Sequence, residues 1–284
     1  MTPIDADEQR AASRETWEKA AGPWGRRADR IREWGMPVSV ALIEALALQP
    51  GHRVLELAAG PGDTGFMAAE LIAPGGTLVC SDGAESMLDV ARARAQQLGV
   101  TNVEFRPLEL EWIDLPAADV DAALCRWGIM LTVDPAAAAR EIRRVLAPGG
   151  RAALAVWDLP EHNPWATIPS GAMIELGHAQ PPDPAAPGMF SLAPAQRLSE
   201  LLLEAGFADV HVGPVEVARR YGAVEQYLEE TAEVSPMFSA VWSGLDADQR
   251  GEVAARIAAA ARPFTAQDGS VSLPGSCLVA SAAA

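Results

Sequence analysis

The sequence has few of the residues that build disulfide frameworks or metal sites. Its 284 residues include three cysteines inside separate apolar runs and four scattered histidines without the spacing of a metal-ligand set. An odd, widely spaced set of cysteines predicts reduced core thiols and a cytoplasmic protein. No metal is expected. The cysteines are Cys80, Cys125 and Cys277.

Long apolar runs and basic residues are also scarce. No stretch approaches the roughly eighteen continuous apolar residues of a membrane span, and the polar, acidic residues 1–19 do not resemble a secretory signal. Acids outnumber Lys and Arg by 38 to 22, and the formal net charge is −16. Because nucleic-acid binding needs a basic surface, no nucleic-acid partner and no membrane span are expected. The oligomeric state stays open.

Hydrophobic residues make up 49% of the chain, enough for a substantial core. Short β-type runs alternate with amphipathic segments, which is typical of a parallel sheet with crossover helices. The predicted strands are 53–58, 76–81, 102–107, 120–127 and 151–157, and the helices between them are 63–72, 84–98 and 135–146.

The remaining segments are predicted to cover or extend this core. Residues 1–48 form a helical cap, and residues 49–284 form the main domain. Within it, the Pro- and Gly-rich segment 158–193 and the helical segment 223–263 are predicted lids, because such long insertions usually serve as lids or binding segments. A helix (194–206) and two strands (208–220 and 275–283) complete the prediction.

The stretch "VLELAAGPGDTG" (54–65) ends a strand with a glycine-rich turn. Gly60, Gly62 and Gly65 spell G-x-G-x-x-G, which forms an anion or ribose cradle or, alternatively, a tight turn without a ligand. Asp82 ends the second strand, where an acid binds both hydroxyls of a ribose. NAD and an adenosyl ligand fit these features equally well.

Glu56 distinguishes between NAD and an adenosyl ligand. A carboxylate inside the strand repels the phosphates of a dinucleotide, whereas it attracts a ligand that carries a cation. S-adenosylmethionine has an ammonium and a sulfonium group and no phosphate. The alternative for Glu56 is a buried acid held by the loop's own N–H groups, a role compatible with ligand attraction.

Four motifs resemble those of class I S-adenosylmethionine-dependent methyltransferases. "VLELAAGPGDTG" is similar to the family's E/D-x-G-x-G-x-G motif, and "CSDGAESMLDVARARA" to its second-strand acid and following helix. "FRPLELEWIDLP" is similar to the third-strand stretch, and "EIRRVLAPGGRAALAVW" to the fifth-strand entry. Together they cover roughly residues 40–160 in the family order. The branch that they resemble comprises ubiquinone/menaquinone-biosynthesis-like enzymes with small-molecule substrates, and the Arg-, Ala-, Gly- and Pro-rich composition is typical of a GC-rich bacterial genome.

The resemblance implies an α/β, Rossmann-like, seven-stranded sheet with helices on both faces and an antiparallel last strand beside the fifth. It implies transfer of a methyl group from S-adenosylmethionine to a small acceptor by in-line displacement, catalysed mainly by proximity and water exclusion. Two alternatives remain: an NAD(P)-dependent oxidoreductase with an all-parallel sheet, and a non-catalytic protein that binds S-adenosylmethionine.

Matching positions imply the cofactor-binding residues. They are Glu56, Ala58, Ala59, Gly60, Pro61 and Gly62 for the methionine part, Asp82, Gly83 and Met87 around the ribose, and Glu109 and Leu110 at the adenine edge. The chain departs from the family pattern at Ala58, which replaces a glycine, at Ala59, which replaces the usual cysteine, and at Glu109, which replaces an aspartate.

Candidates for catalysis and acceptor binding follow the strand ends. His162 lies just after the fifth strand and is the candidate base, with a solvent-facing lid histidine as the alternative. Arg126 ends the fourth strand and is predicted to face the donor methyl group or the acceptor, both as a cofactor-binding residue and as a second candidate for catalysis. An aromatic pocket for a mainly apolar or aromatic molecule is predicted from the tryptophans, although packing explains several of them. Its members are Trp24, Trp127, Trp157 and Trp165.

Overall fold

The computed structural model describes residues 5–183 and 186–284. The first four residues of the predicted cap and residues 184–185 of the predicted lid lie outside the described residues. Two helices, α1 (Ala6–Arg26) and α2 (Ala28–Leu46), precede the sheet. The buried side chains of α2 recur every three or four residues, so one face of the helix packs on the sheet.

Strands and helices alternate through the first half of the sheet, as the sequence predicts. The strands are β1 (Arg53–Leu57), β2 (Thr77–Asp82), β3 (Val103–Pro107), β4 (Val120–Arg126) and β5 (Leu146–Trp157). The helices are α3 (Asp63–Leu71), α4 (Glu85–Leu98) and α5 (Pro135–Val145). β1 and β4 lie inside the sheet with a strand paired on each side, and they are buried along almost their whole length because helices pack on the faces of the sheet.

The second half adds helices and two long strands. The helices are α6 (Pro164–Glu175), α7 (Ala195–Glu204), α8 (Val224–Val234), α9 (Pro236–Gly244) and α10 (Ala247–Ala261). The strands are β6 (Ala208–Tyr221) and β7 (Val271–Ala283).

All seven strands form one sheet in the order β3-β2-β1-β4-β5-β7-β6. β7 runs antiparallel to both β5 and β6 and lies between them. The predicted Rossmann-like fold, with helices packed on the sheet and the last strand inserted beside the fifth, is confirmed. This topology differs from the all-parallel sheet that the oxidoreductase alternative requires.

The strand order reverses between β1 and β4, which are neighbours although β2 and β3 lie on the other side of β1. Ligands of open α/β sheets bind beyond the carboxyl ends of the strands at such a point. Glu56 lies in β1, Asp82 ends β2 and Arg126 ends β4. The fold therefore places three predicted site residues at one edge of the sheet.

Some element boundaries differ from the sequence prediction. The segment 223–263 contains three helices because Pro236, which lacks an N–H, begins α9, and Asp246 begins α10 with a capping box. The segment 158–193 contains α6, which begins at Pro164 despite its proline-rich sequence. β5 begins at Leu146 rather than at residue 151, because the backbone is already extended at Leu146 and pairs there with β4.

No helix among residues 5–183 and 186–284 is long and apolar enough to cross a membrane. In the same ranges, no group of three or more His, Cys, Asp or Glu side chains is arranged to hold a metal ion. The three cysteines are buried free thiols.

Candidate active site

The glycine loop (58–62) turns the chain from β1 into α3. Ala58, Gly60 and Gly62 have φ angles of 49°, 53° and 85°, the left-handed region in which glycine is the least strained residue. Ala58 therefore carries strain at the position where the related motif has glycine. The loop residues 59–62 are buried, so their backbone groups line an enclosed edge.

Glu56 lies beneath this loop and is 2% exposed. One oxygen, Oε1, accepts the backbone N–H of Gly65 at 2.8 Å, and Oε2 has no hydrogen-bond partner. Burial raises the pKa of Glu56 to about 8, although the Gly65 N–H and the charge of Arg126 act to lower it. The site thus holds a buried carboxyl group with one unpartnered oxygen.

Asp82 joins the glycine loop to the start of α4. Its two carboxylate oxygens accept the N–H groups of Gly60 at 2.9 Å and Ala84 at 3.0 Å. Burial raises the pKa of Asp82, and the two N–H groups oppose that rise. Each oxygen keeps a lone pair for a further hydrogen bond, which suits a diol.

Helix α1 crosses this edge of the sheet and packs on α4. The Glu18 carboxylate accepts the N–H groups of Glu85 at 2.7 Å and Ser86 at 3.0 Å, at the N-terminus of α4. The ring of Trp24 lies over the glycine loop, 3.8 Å from the position of a Cβ on Gly60. The first helix therefore contributes side chains to the predicted cofactor site.

A cleft opens between α1 and the ends of β2 and β3. Glu109, predicted to bind the adenine edge, forms a 2.5 Å ion pair with Arg14 of α1 and lies close to Gly83. Met87, predicted beside the ribose, is buried against α1. The residues that line the cleft are Arg14, Glu18, Gly83, Glu85, Pro107, Leu108 and Glu109.

The sequence did not identify Arg14 or Glu18. Their signal is weak but present, because Arg10, Arg14 and Glu18 recur every four residues and therefore share one face of α1. Arg10 of the same face pairs with Glu111.

Arg126 lies between the glycine loop and α2. Its guanidinium donates to the Ser39 hydroxyl at 3.0 Å, and that hydroxyl is 2.9 Å from the hydroxyl of Thr64. Burial lowers the pKa of Arg126, while the charges of Glu56 and Asp63 act to raise it. The guanidinium carbon lies 4.6 Å from the centroid of the Trp127 ring. Arg126 thus lies next to both the buried acid and the first indole beyond β4.

Four indoles pack together beyond the ends of β4 and β5, and we call them the tryptophan cluster: Trp34, Trp127, Trp157 and Trp165. Trp127 stacks on Trp34 with centroids 5.1 Å apart and on Trp157 at 4.7 Å. Trp165 lies 4.6 Å from Trp157. Three of the four tryptophans predicted to line a substrate pocket are in this cluster, and all four indoles are buried.

Trp24, predicted to belong with these three residues, lies elsewhere. It packs edge-on against Trp17 at 5.3 Å and donates its indole N–H to the carbonyl of Val234 at 2.9 Å. The structure therefore groups Trp24 with the glycine loop, and α2 supplies Trp34 in its place.

His162 lies in a short turn after β5, and its side chain is 52% exposed. Its Nδ1 is 2.8 Å from an oxygen of Asp158. Burial would raise the pKa of Asp158, but hydrogen bonds from His162, the Leu159 N–H and Ser276 lower it overall. The exposed imidazole is thus held by a buried aspartate, and the next residue is the buried Asn163, which accepts the Trp165 indole N–H at 3.0 Å.

Comparisons with known proteins identify the family of the central segment. Residues 48–175 match the family model described as a methyltransferase domain. The ubiquinone/menaquinone biosynthesis C-methyltransferase UbiE of Cellvibrio japonicus is 33% identical over 122 residues, which are 43% of this chain and 49% of that protein. The 2-phytyl-1,4-naphtoquinone methyltransferase of Synechococcus elongatus is 34% identical over 129 residues, 43% of this chain and 51% of that protein.

Residues 48–175 are therefore similar to known methyltransferase domains. The resemblance seen in the sequence is confirmed. The chain spans about half the length of the curated relatives that it matches. The crystal structure of the YcgJ protein from Bacillus subtilis shares the fold, with a TM-score of 0.57 and 18% identity over 86% of this chain and 97% of that one.

The matched segment of the methyltransferase domain contains the glycine loop, Asp82, Arg126 and α6. The helices α1 and α2, the strands β6 and β7 and the helices α8–α10 lie outside it. Trp24, Trp34 and Glu18 therefore come from a part of the chain that the family model does not cover.

Proposed function

We propose that the chain is an S-adenosylmethionine-dependent methyltransferase acting on a small, mainly apolar or aromatic molecule. The observation that carries this proposal is Oε2 of Glu56, buried beneath the glycine loop without a hydrogen-bond partner. A carboxylate there attracts the ammonium group of S-adenosylmethionine and repels dinucleotide phosphates. The two relatives named above, both methyltransferases of quinone-type molecules by name, support the same reaction.

The residues of the site fit this cofactor. Glu56 and the loop backbone would bind the methionine part, and Asp82, which has free lone pairs at its carboxylate, would bind the ribose hydroxyls. Glu109 and the Leu110 backbone would lie at the adenine edge, in the cleft beneath Arg14. Trp24 would cover the cofactor from α1.

The bound cofactor supplies a methyl group attached to a sulfonium sulfur. The thioether that leaves needs no further activation. The chain's part is to hold the acceptor in line and to exclude water. Arg126 and Trp127, at the end of β4, would face the acceptor. We infer that the cap (1–48) and the lids (158–193 and 223–263) close over it, and the buried free thiols support a cytoplasmic location.

We propose His162 as the base for acceptors that must lose a proton. Asp158 would hold its ring through Nδ1 and leave Nε2 to accept the proton. His162→Ala is then expected to lower kcat about 100-fold on such acceptors and to leave cofactor binding unchanged. An unchanged kcat would assign the catalysis to proximity alone.

Calorimetric titration with S-adenosylhomocysteine and with NADH tests the assignment. Binding of the first and not the second is expected, and the reverse result would overturn the proposal in favour of an oxidoreductase. Turnover of a panel of small aromatic acceptors then distinguishes a methyltransferase from a non-catalytic binding protein.

A further inference from the structure

Arg219 of β6 is a buried cation within the tryptophan cluster. The residue is 6% exposed, and its guanidinium carbon lies 3.8 Å from the Trp34 ring centroid and 3.4 Å from that of Trp165. The two indoles thus lie against the guanidinium and favour its charge through cation–π interactions. Hydrogen bonds to a guanidinium form in its plane, at its edge, so an acceptor group for Arg219 must approach from that edge.

The guanidinium of Arg219 interacts with the Tyr221 hydroxyl, but the rest of its edge lacks the charged partner that a buried guanidinium normally has. Among residues 5–183 and 186–284, no carboxylate forms an ion pair with it, and its Nε has no hydrogen-bond partner. The nearby Glu230 is engaged elsewhere, by the Tyr221 hydroxyl at 2.9 Å and by Arg30 at 3.2 Å. Burial lowers the pKa of Arg219, although Tyr221 and the charge of Glu230 act to raise it.

A second unpartnered donor belongs to the same cluster. The indole N–H of Trp34 is buried and has no acceptor, although Trp34 and Arg219 stack on each other. Buried polar groups are normally hydrogen-bonded, and those that are not call for an explanation. Two neighbouring orphan donors, one of them charged, are explained by an anionic oxygen that is brought by a ligand.

The cluster also adjoins the proposed reaction site. Trp127, which stacks on Trp34, directly follows β4, and the next residue, Gly128, packs against Ala58 of the glycine loop. A planar acceptor beside the edge of Trp127 would therefore extend from the methyl donor toward Arg219.

We propose that Arg219 and the Trp34 indole N–H bind a carboxylate of the acceptor, so that the substrate is an aromatic acid. This inference rests on the proposed methyltransferase function and narrows its substrate class. One guanidinium edge flanked by indoles suits the flat, singly charged carboxylate, to which arginine can donate two parallel hydrogen bonds. The Nε of Arg219 is closed to solvent in the structure, so the acceptor reaches it when its cover, which includes α6 with Trp165, moves aside.

Matched pairs of probes test this proposal. The dissociation constants of 2-naphthoate, 1-hydroxy-2-naphthoate and cinnamate, and of their carboxamides, are measured by calorimetry with the protein saturated with S-adenosylhomocysteine. At least one acid is expected to bind the wild type about tenfold or more tightly than its amide. Arg219→Met should abolish that preference, Arg219→Lys should retain part of it, and Trp34→Phe, which removes the N–H together with the five-membered ring of the indole, should reduce it.

The melting temperature separates this role from a purely structural role of Arg219, and binding of S-adenosylhomocysteine separates it from failure of the methyltransferase proposal. Replacing an unpaired buried charge with an apolar side chain of similar size is often neutral or stabilising, so Arg219→Met should keep or raise the melting temperature. A lower melting temperature with an unchanged acid preference would make Arg219 structural and overturn the proposal, as would equal binding of acids and amides or binding of no acid. Failure of the wild type to bind S-adenosylhomocysteine would instead refute the methyltransferase assignment.

Discussion

Glu56 and Gly65 fit together so closely that a side chain at residue 65 would displace the carboxyl group of Glu56. The backbone N–H of Gly65 donates to Oε1 of Glu56 at 2.8 Å, and a Cβ on residue 65 would lie 2.1 Å from Oε2. The third glycine of the G-x-G-x-x-G pattern therefore makes room for the buried acid of β1.

We expect Gly65→Ala to lower the free energy of unfolding by about 1–3 kcal/mol, the usual cost of overpacking a core. Because the new methyl group displaces the Glu56 carboxyl group, binding of S-adenosylhomocysteine should weaken by roughly tenfold or more. Chemical denaturation and calorimetry measure the two effects.

Gly251→Ala is the matched control. Gly251 lies inside α10 with open space around its Cβ position, so alanine there should stabilise the protein by about 0.4–1 kcal/mol. If the two variants have the same free energy of unfolding and the same affinity for S-adenosylhomocysteine, then the contact between Glu56 and Gly65 contributes to neither.

Glu56 should also make binding depend on pH. Burial raises the pKa of its carboxyl group to about 8, so the free protein holds a proton there at neutral pH. A ligand ammonium binds the ionised form, and the affinity for S-adenosylhomocysteine is expected to rise by up to about tenfold per pH unit from about pH 6 and to level off near the pKa of Glu56. Glu56→Gln should bind weakly at every pH, and a flat wild-type profile would contradict the prediction.

The same raised pKa has a consequence for stability. The folded state holds the Glu56 proton more tightly than the unfolded state, so this group stabilises the fold fully below its usual pKa of 4.5. The contribution is lost as the pH rises from that value through about 8. Urea unfolding in the absence of ligand should therefore show a smaller decrease of stability over this range for Glu56→Gln than for the wild type.

Asp82→Ala should weaken binding of S-adenosylhomocysteine by about 1.5–3 kcal/mol, the range for hydrogen bonds to a charged group. The variant loses the proposed ribose contacts and leaves the N–H groups of Gly60 and Ala84 without their acceptor. Asp89→Ala is the control, because Asp89 lies exposed on α4 and pairs with Arg92 of the same helix. If both variants bind like the wild type in calorimetry, the cofactor site lies elsewhere.

The sequence predicted the sheet well because short motifs mark the ends of its strands and helices and follow one another in a fixed order along the chain. The second-strand acid, the glycine turn and "RVLAPGG" each mark the end or start of an element, and their order implies the topology. The segment 158–193 was harder to predict, since the prolines that suggested a loop, Pro164 and Pro169, lie within α6. The roles of Arg219 and Glu18 depend on contacts between distant parts of the chain, and an isolated charge in a strand or helix carries no sign of such contacts.

The last prediction concerns α1 as part of the cofactor site. Glu18 accepts two N–H groups at the N-terminus of α4, where the helix dipole also favours a negative charge. Glu18→Ala should therefore loosen α1 from α4, and Trp24 of the same helix should no longer stay over the glycine loop. We expect S-adenosylhomocysteine to dissociate about tenfold faster, with a smaller change in its association rate.

Stopped-flow fluorescence of the tryptophans measures both rates. Glu18→Gln keeps an oxygen that can accept one N–H but lacks the charge, so its dissociation rate should fall between those of Glu18→Ala and the wild type. Glu15→Ala is the matched control on the same helix, because Glu15 pairs with the exposed Lys19 and surface pairs of this kind contribute little. If Glu18→Ala releases the ligand no faster than Glu15→Ala does, then α1 packs beside the site without holding the cofactor, and the pocket must be closed by the later helices.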